Sequence, residues 1–146
     1  MVAESEILIR LILAGLIGGV LGFERKVHKK PGGTRTHALV CLGSTLFTIT
    51  SLGFDGIADP SRIAAGIVTG IGFLGAGTIF KTKNHVVGLT TAAELWTVAA
   101  IGIAVGMGLY FTAIASAVIV FVIIVHGKMV EKELVTKKHK HTWGMW

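Results

Sequence analysis

The sequence is poor in the residues that stabilise small proteins in water. Charged residues make up only 15% of its 146 residues, whereas a soluble globular domain has roughly 25%. The single cysteine, Cys41, excludes an intramolecular disulfide framework and a multi-thiolate metal site. A Gly-X-Y period is absent, which excludes a collagen-like chain. The N-terminal segment has Glu4 and Glu6 instead of the basic start of a secretory signal peptide. The chain lacks the polar surface that would let it face water on all sides.

Apolar residues are abundant, at 52% of the chain, and the mean hydropathy is +0.74. They form five runs, each near the lower end of the ~17–25 residues that cross a bilayer as a helix. The runs cover residues 7–23, 37–54, 63–80, 91–108 and 110–126. We predict an all-α integral membrane protein, with a five-helix transmembrane domain over residues 1–127 and a basic cytoplasmic tail over 128–146. Asp59-Pro60-Ser61 predicts the start of the third helix, and a capping box from Thr91 to Glu94 predicts that of the fourth.

The basic residues predict an orientation. Twelve of the fourteen lysines and arginines lie in the segments after the first, third and fifth apolar runs. Basic loops stay in the cytoplasm, so we expect the N-terminus outside and the C-terminus inside. This placement of charge between apolar runs also argues against nucleic acid as the partner of a chain with a net charge of +6.

Twenty glycines suit a bundle of membrane helices, because a G-x-x-x-G pair lets two backbones come close. Pairs occur in the first, third and fourth runs, the first including Gly18 and Gly22. We predict helix packing, or alternatively a self-association face or a glycine-lined path, at Gly15, Gly19, Gly66, Gly70, Gly72, Gly75, Gly77, Gly102 and Gly106. Residues 70–75 also match a dinucleotide fingerprint, but they lie inside an apolar run with no preceding strand. We predict no catalytic residues and no enzyme activity.

Glu24 is the most informative charge, because it follows the first apolar run at a helix C-terminus, where the macrodipole disfavours a carboxylate. It should have a cationic partner. Arg25 is adjacent but projects from another side of the helix, so Arg35 is the better candidate. A structural ion pair and a working site with His37 both remain open.

Glu94 has two interpretations, one in the capping box and one facing the bundle at the depth of Glu24. In the second case, the two carboxylates and nearby threonine hydroxyls could hold a hydrated magnesium ion, which prefers oxygen ligands and keeps several waters. The candidate metal ligands are therefore Glu24 and Glu94, and we expect no other cofactor. The predicted functional rim at the cytoplasmic end consists of Glu24, Arg35, His37, Thr90, Thr91 and Glu94.

Arg10 lies three residues into the first apolar run. It either extends to the outer membrane surface or pairs with a carboxylate inside the bundle. The acidic residues nearest to it in depth are Asp55 and Asp59.

Four stretches together resemble the membrane domain of the MgtC/SapB family over roughly residues 7–126. They are Gly22-Phe23-Glu24-Arg25, the Gly-Thr-Arg-Thr-His-Ala-Leu-Val-Cys-Leu-Gly of residues 33–43, the segments 59–65 and 70–77, and the Gly-Leu-Thr-Thr-Ala-Ala of residues 88–93. The chain resembles the short members of that family, which lack the soluble C-terminal domain, or else a truncated form of a longer member.

The resemblance implies a multi-pass protein of the bacterial inner membrane, tied to growth at low magnesium and to virulence. It implies regulation of other membrane proteins such as the F-type ATP synthase. The alternatives are a transporter or channel for magnesium or another small solute, and a lipid-binding or small-molecule-binding module. Besides the lipid bilayer, the expected partners are other membrane proteins and a second copy of the chain in a dimer.

Overall fold

The computed structural model describes residues 2–28, 30–54, 59–83 and 85–142, with side chains described up to Gly127. Its helices are α1 (Glu4–Val27), α2 (Thr34–Leu52), α3 (Pro60–Ala76), α4 (Leu89–Gly106) and α5 (Tyr110–Thr142). Helices α1 and α4 and residues Tyr110–Gly127 of α5 are long and apolar enough to cross a membrane, and α3 is a shorter apolar helix. The predicted all-α membrane fold of five helices is confirmed, whereas five membrane crossings and the orientation in the membrane stay predictions.

The third and fifth helices end elsewhere than the apolar runs predicted. Helix α3 stops at Ala76 because Thr78 turns the chain, its N–H and its hydroxyl both donating to the carbonyl of Gly75 at 3.0 and 2.8 Å. An antiparallel hairpin follows, of strands β1 (Phe80–Lys81) and β2 (Val86–Val87), which the sequence did not predict. Helix α5 continues through most of the predicted tail as far as Thr142, and the last four residues lie outside the described part.

Helix starts follow the sequence at α3 but not at α4. At α3, Pro60 is the first helical residue and Asp59 is the N-cap, its carboxylate accepting from the Ser61 N–H at 2.9 Å. Hydrogen bonds from the Ser61 hydroxyl and N–H hold the pKa of the Asp59 carboxyl below its ordinary value. At α4 the N-cap is Gly88, so the capping box predicted from Thr91 to Glu94 is wrong.

The core lies where α1, α2, α4 and α5 meet. Its buried members are Ala14, Leu21, Cys41, Val98, Ile101, Val105 and Ala113. Hydroxyls buried beside it donate to backbone carbonyls: Thr45 donates to Gly102 at 2.8 Å across the contact of α2 with α4. Such bonds satisfy polar groups that would otherwise be costly inside a membrane protein. Helix α3 is peripheral, with only Ile71 and Gly75 buried.

Four glycines bring helix backbones into direct contact. On α1, a Cβ atom added at Gly18 would lie 2.5 Å from the His37 carbonyl oxygen, and one added at Gly22 would lie 2.8 Å from the Gly33 carbonyl oxygen. On α4, a Cβ at Gly102 would lie 2.4 Å from the Cys41 carbonyl oxygen, and one at Gly106 2.6 Å from the Thr48 Cβ. Helix α2 is therefore held between α1 and α4 at distances that only glycine permits.

The other glycines of the predicted packing set lie in more open surroundings. An added Cβ would be 3.9 Å from Leu42 at Gly15, 3.5 Å from Ala92 at Gly75 and 3.3 Å from the Leu74 carbonyl at Gly77. No atom lies within 4 Å of a Cβ built at the remaining four, Gly19, Gly66, Gly70 and Gly72. These four form no close helix contact within the described chain, because α1 and α3 turn them outward.

Arg10 fastens α1 to the turn between α4 and α5. Its Nε donates to Glu6 at 3.1 Å and to the Tyr110 hydroxyl at 3.2 Å, and its NH1 group donates to the Gly106 carbonyl at 2.6 Å. Tyr110 also donates to Glu6. A cation at the C-terminus of α4 also interacts favourably with the helix dipole. Arg10 thus pairs with a carboxylate on its own helix; of the two expected partners, Asp55 lies outside the described residues and Asp59 caps α3.

We expect replacement of Arg10 by leucine to lower the free energy of unfolding by about 2 kcal/mol, since hydrogen bonds to charged groups contribute about 1.5–3 kcal/mol. Thermal unfolding of the detergent-purified protein measures the change. Glu4→Gln is the matched control, because it removes an exposed charge from the same end of α1. Equal melting temperatures for the two variants would show that the Arg10 contacts contribute nothing to stability.

Candidate functional site

A buried ion pair joins the end of α1 to the start of α4. The Arg25 Nε lies 3.0 Å from the Glu94 Oε2, and an NH2 group of Arg25 donates to the Thr91 hydroxyl. The His37 Nε2, from the first turn of α2, lies 3.6 Å from the same Glu94 oxygen. Exposure is 3% for Arg25, 5% for Glu94 and 0% for His37. We call these three residues, with Thr91, the polar cluster.

Close backbone packing holds the polar cluster together. Gly22 lets the last turns of α1 lie against the start of α2, which brings Arg25 towards His37. Gly88 begins α4 at a φ of +94°, and a Cβ there would lie 1.8 Å from the Thr78 carbonyl oxygen, so no other residue fits without movement of the chain. This left-handed turn connects β2 to α4 and places Thr91 and Glu94 in the first turns of α4.

The cluster forms part of the wall of a cavity of about 740 Å³. Arg25, His28 and Lys30 supply basic groups, Thr90, Thr91 and Thr97 supply hydroxyls, and Glu94 supplies a carboxylate. The hairpin and α5 supply the apolar part of the wall, including Phe80, Val87, Ile123 and Ile124. The cavity therefore suits a ligand or peptide segment that has both polar and apolar groups.

The buried Glu94 carboxylate can accept further hydrogen bonds. Neither oxygen of this buried carboxylate has a hydrogen-bond partner among the described residues, although Oε2 lies within ion-pair distance of Arg25 and His37. An unsatisfied buried acceptor costs about 1–3 kcal/mol. A ligand that brought a donor to Oε1, such as an ammonium group or the water shell of a metal ion, would remove that penalty.

The six residues of the predicted functional rim do not all lie together in the structure. His37, Thr91 and Glu94 come together in the polar cluster, and Thr90 lines the same cavity. Glu24 is buried, but its Oε1 lies 3.2 Å from the His28 Nδ1, and it lines a different cavity between α1 and α5. Arg35, the expected partner of Glu24, is exposed beside α3 and forms no ion pair with a described residue. That expected pair is wrong, because Arg35 projects from α2 away from α1.

Arg25 is the residue that sequence reasoning missed. Arg25 adjoins Glu24 and projects from another side of α1, and that side faces the centre of the bundle. The spacing of residues in the sequence could have identified Arg25, because it follows Gly18 by seven residues and Gly22 by three. Such spacing puts all three on one helix face, and a face with a G-x-x-x-G pair packs against another helix.

The two carboxylates expected to share a metal ion line different cavities. Within the described residues, no group of three or more His, Cys, Asp and Glu side chains is placed to hold a metal ion. The remaining candidate oxygen ligands for magnesium are Glu94 Oε1 and the threonine hydroxyls that line the same cavity. These oxygens could bind a hydrated ion through its water molecules.

Comparison with known proteins identifies relatives over most of the chain. The sequence profile of the MgtC family matches residues 11–133. A protein of Escherichia coli (strain K12) named "Putative magnesium transporter YhiD" is 45% identical over 128 residues, which cover 82% of this chain and 60% of that protein. "Protein MgtC" of Brucella abortus (strain 2308) is 46% identical over 113 residues, covering 76% of this chain and 48% of that protein. The chain thus spans about half the length of these relatives, and no solved structure matches it significantly.

Proposed function

Because the chain belongs to the MgtC family, we propose that it is a bacterial inner-membrane protein that acts in adaptation to low magnesium by regulating other membrane proteins. The F-type ATP synthase is the partner that the family resemblance implies. Survival inside host cells is the context in which such regulation would matter. The names of the relatives support the link to magnesium.

The observation that carries the proposal is the positive charge around the cavity beside the polar cluster. Arg25 and Lys30 are basic, His28 adds a third cation when protonated, and the Glu94 carboxylate is already paired with Arg25. At an effective dielectric constant of about 20, a divalent cation ~4 Å from a guanidinium is repelled by about 8 kcal/mol. That repulsion cancels the attraction of a carboxylate at the same distance. The cavity therefore suits an acidic segment of a protein partner better than a passing cation.

Transport is the second candidate, and one specific observation favours it. The E. coli relative at 45% identity carries magnesium transport in its name, and the buried Glu94 Oε1 is an oxygen ligand that accepts no hydrogen bond from the described residues. In this case Arg25 would have to move from Glu94 as the hydrated ion arrives. Uptake would then depend on the Glu94 carboxylate.

The regulatory proposal predicts that Lys30→Glu weakens control of the partner. We expect the wild-type chain to reduce ATP-driven proton pumping in inverted membrane vesicles, and about tenfold more Lys30→Glu protein to be needed for the same effect, which corresponds to 1.4 kcal/mol. Lys26→Glu is the matched control: Lys26 is also exposed and basic near the end of α1, but it does not line the cavity. Unchanged pumping with the wild-type protein would refute this choice of partner.

Purified protein in liposomes containing a magnesium-sensitive dye separates the two candidates. Regulation without transport predicts no uptake above that of empty liposomes, under a magnesium gradient and a membrane potential. Uptake by the wild-type protein that is lost in Glu94→Gln would establish transport instead. Lys26→Glu again serves as the control, because it should leave any uptake unchanged.

A further inference from the structure

A second large cavity lies on the opposite side of α2 from α1. It is an open groove of about 840 Å³ between α2 and α3. Its walls are almost entirely apolar, with Leu39, Val40 and Phe47 on α2 and Ile63, Ile67 and Ile71 on α3. Gly66 and Gly70 form part of the α3 wall, and no atom lies within 4 Å of a Cβ built on either. The groove is thus a space beside the bundle that the described residues leave unfilled.

Each end of the groove has an arginine. Arg35 is the second residue of α2, Arg62 is the third of α3, and both are exposed groove residues. The two helices run antiparallel, since Thr36 shares a small cavity with Phe73 and Leu74 near the end of α3. The arginines therefore lie at opposite ends, with about 18 Å of helix between the levels of Arg62 and Leu74. With both side chains extended outward, they approach the two surfaces of a hydrocarbon layer of about 30 Å.

We propose that this groove binds anionic phospholipid, with acyl chains along its apolar walls and a phosphate held by an arginine at each membrane surface. A guanidinium pairs with two phosphate oxygens at once, which makes arginine well suited to phosphate recognition. Both arginines are exposed, and neither forms an ion pair with a described residue. The acyl chains fill the volume that Gly66 and Gly70 leave open.

Charge also argues against a second copy of the chain as the occupant. A dimer whose two-fold axis runs along the membrane normal keeps each residue at the same depth as its copy, while the same face is used on both subunits. Two Arg35 side chains would then gather at one end of the interface and two Arg62 side chains at the other, and such accumulation of like charge opposes association. A phosphate at each end neutralises the same arginines. The lipid is therefore the occupant that fits both the charge and the shape.

The charge of the lipid provides the first test. The protein is incorporated into nanodiscs with equal amounts of phosphatidylglycerol and phosphatidylcholine, and the lipids that remain bound are counted by native mass spectrometry. We expect about a fivefold enrichment of phosphatidylglycerol on the wild-type protein and none on the Arg35→Gln/Arg62→Gln double variant. Lys81→Gln/Lys83→Gln is the control, because it removes two exposed basic groups from outside the groove. Equal enrichment in the two double variants would overturn the proposal.

The shape of the groove provides an independent test. Gly70→Leu places a side chain in the open groove without a clash at Cβ, so the protein should keep its melting temperature and lose retained phosphatidylglycerol. Gly72→Leu on the same helix has equally open surroundings but lies outside the groove, so it should retain the lipid. If Gly70→Leu keeps the bound lipid, or instead turns a dimer into a monomer in lipid-free detergent, the groove is not a lipid site. Neither test depends on any effect on the ATP synthase or on magnesium.

Discussion

Replacement of Arg25 by leucine is expected to lower the free energy of unfolding by about 3–5 kcal/mol, the loss that follows when one partner of a buried ion pair is removed. Arg25 is 3% exposed and its Nε lies 3.0 Å from Glu94. Without the guanidinium, the only basic side chain among the described residues that lies within 4 Å of the Glu94 carboxylate is that of His37, at 3.6 Å.

Arg35→Leu is the natural control for this prediction. Both substitutions remove one arginine near the same end of the bundle, but Arg35 is exposed and lines the groove. Thermal unfolding in lipid-free detergent should show Arg25→Leu well below wild type and Arg35→Leu close to it. The double variant Arg25→Leu/Glu94→Leu should recover most of the stability, because it removes both charges together. A larger loss in Arg35→Leu than in Arg25→Leu would favour the pair of Glu24 with Arg35 that the sequence suggested.

The helices could be predicted from the sequence because hydropathy and length determine them. Apolar runs of membrane-spanning length identified all five helices, and Asp59-Pro60-Ser61 identified the start of α3 to the residue. The end of α3 was not predictable in this way, since residues 77–80 are as apolar as the helix before them. Its position depends on a hydrogen-bonded turn at Thr78 and on the pairing of Phe80 with Val87. Both features are local hydrogen-bonding patterns, since Phe80 and Val87 lie only seven residues apart, and a hydropathy profile carries no information about hydrogen bonding.

The site was predictable in its residue types and its position but not in its pairs. His37, Thr91 and Glu94 were placed at one end of the bundle from their depth along the helices, and they do meet there. The choice between Arg25 and Arg35 depended on which face of α1 meets α2, and depth along a helix gives no information about that face. Depth alone therefore favours Arg35 as the partner of Glu24, although Arg35 lies on the side of α2 that faces away from α1.

Gly102→Ala is expected to lower the free energy of unfolding by about 3 kcal/mol, at the upper end of the usual range for adding a methyl group to a packed core. The added Cβ would lie 2.4 Å from the Cys41 carbonyl oxygen and 2.8 Å from the Ser44 Cβ. A helix backbone cannot move aside as a flexible side chain can. The two helices must separate, which also weakens the bond from the Thr45 hydroxyl to the Gly102 carbonyl.

Separation of α2 from α4 at Gly102 should also disturb the polar cluster. Gly102 and Glu94 lie on the same side of α4, about two turns or 12 Å apart. The contact of α2 with α4 runs from His37 and Glu94 through Cys41 and Gly102 to Thr48 and Gly106. Gly72→Ala is the control, since no atom lies within 4 Å of its Cβ and alanine favours a helix over glycine by up to about 1 kcal/mol. Thermal unfolding should therefore show a loss at position 102 and no loss at position 72. Equal melting temperatures would mean that α2 and α4 are not held together at the distance seen here, and the pairing of His37 with Glu94 would then lose its support as well.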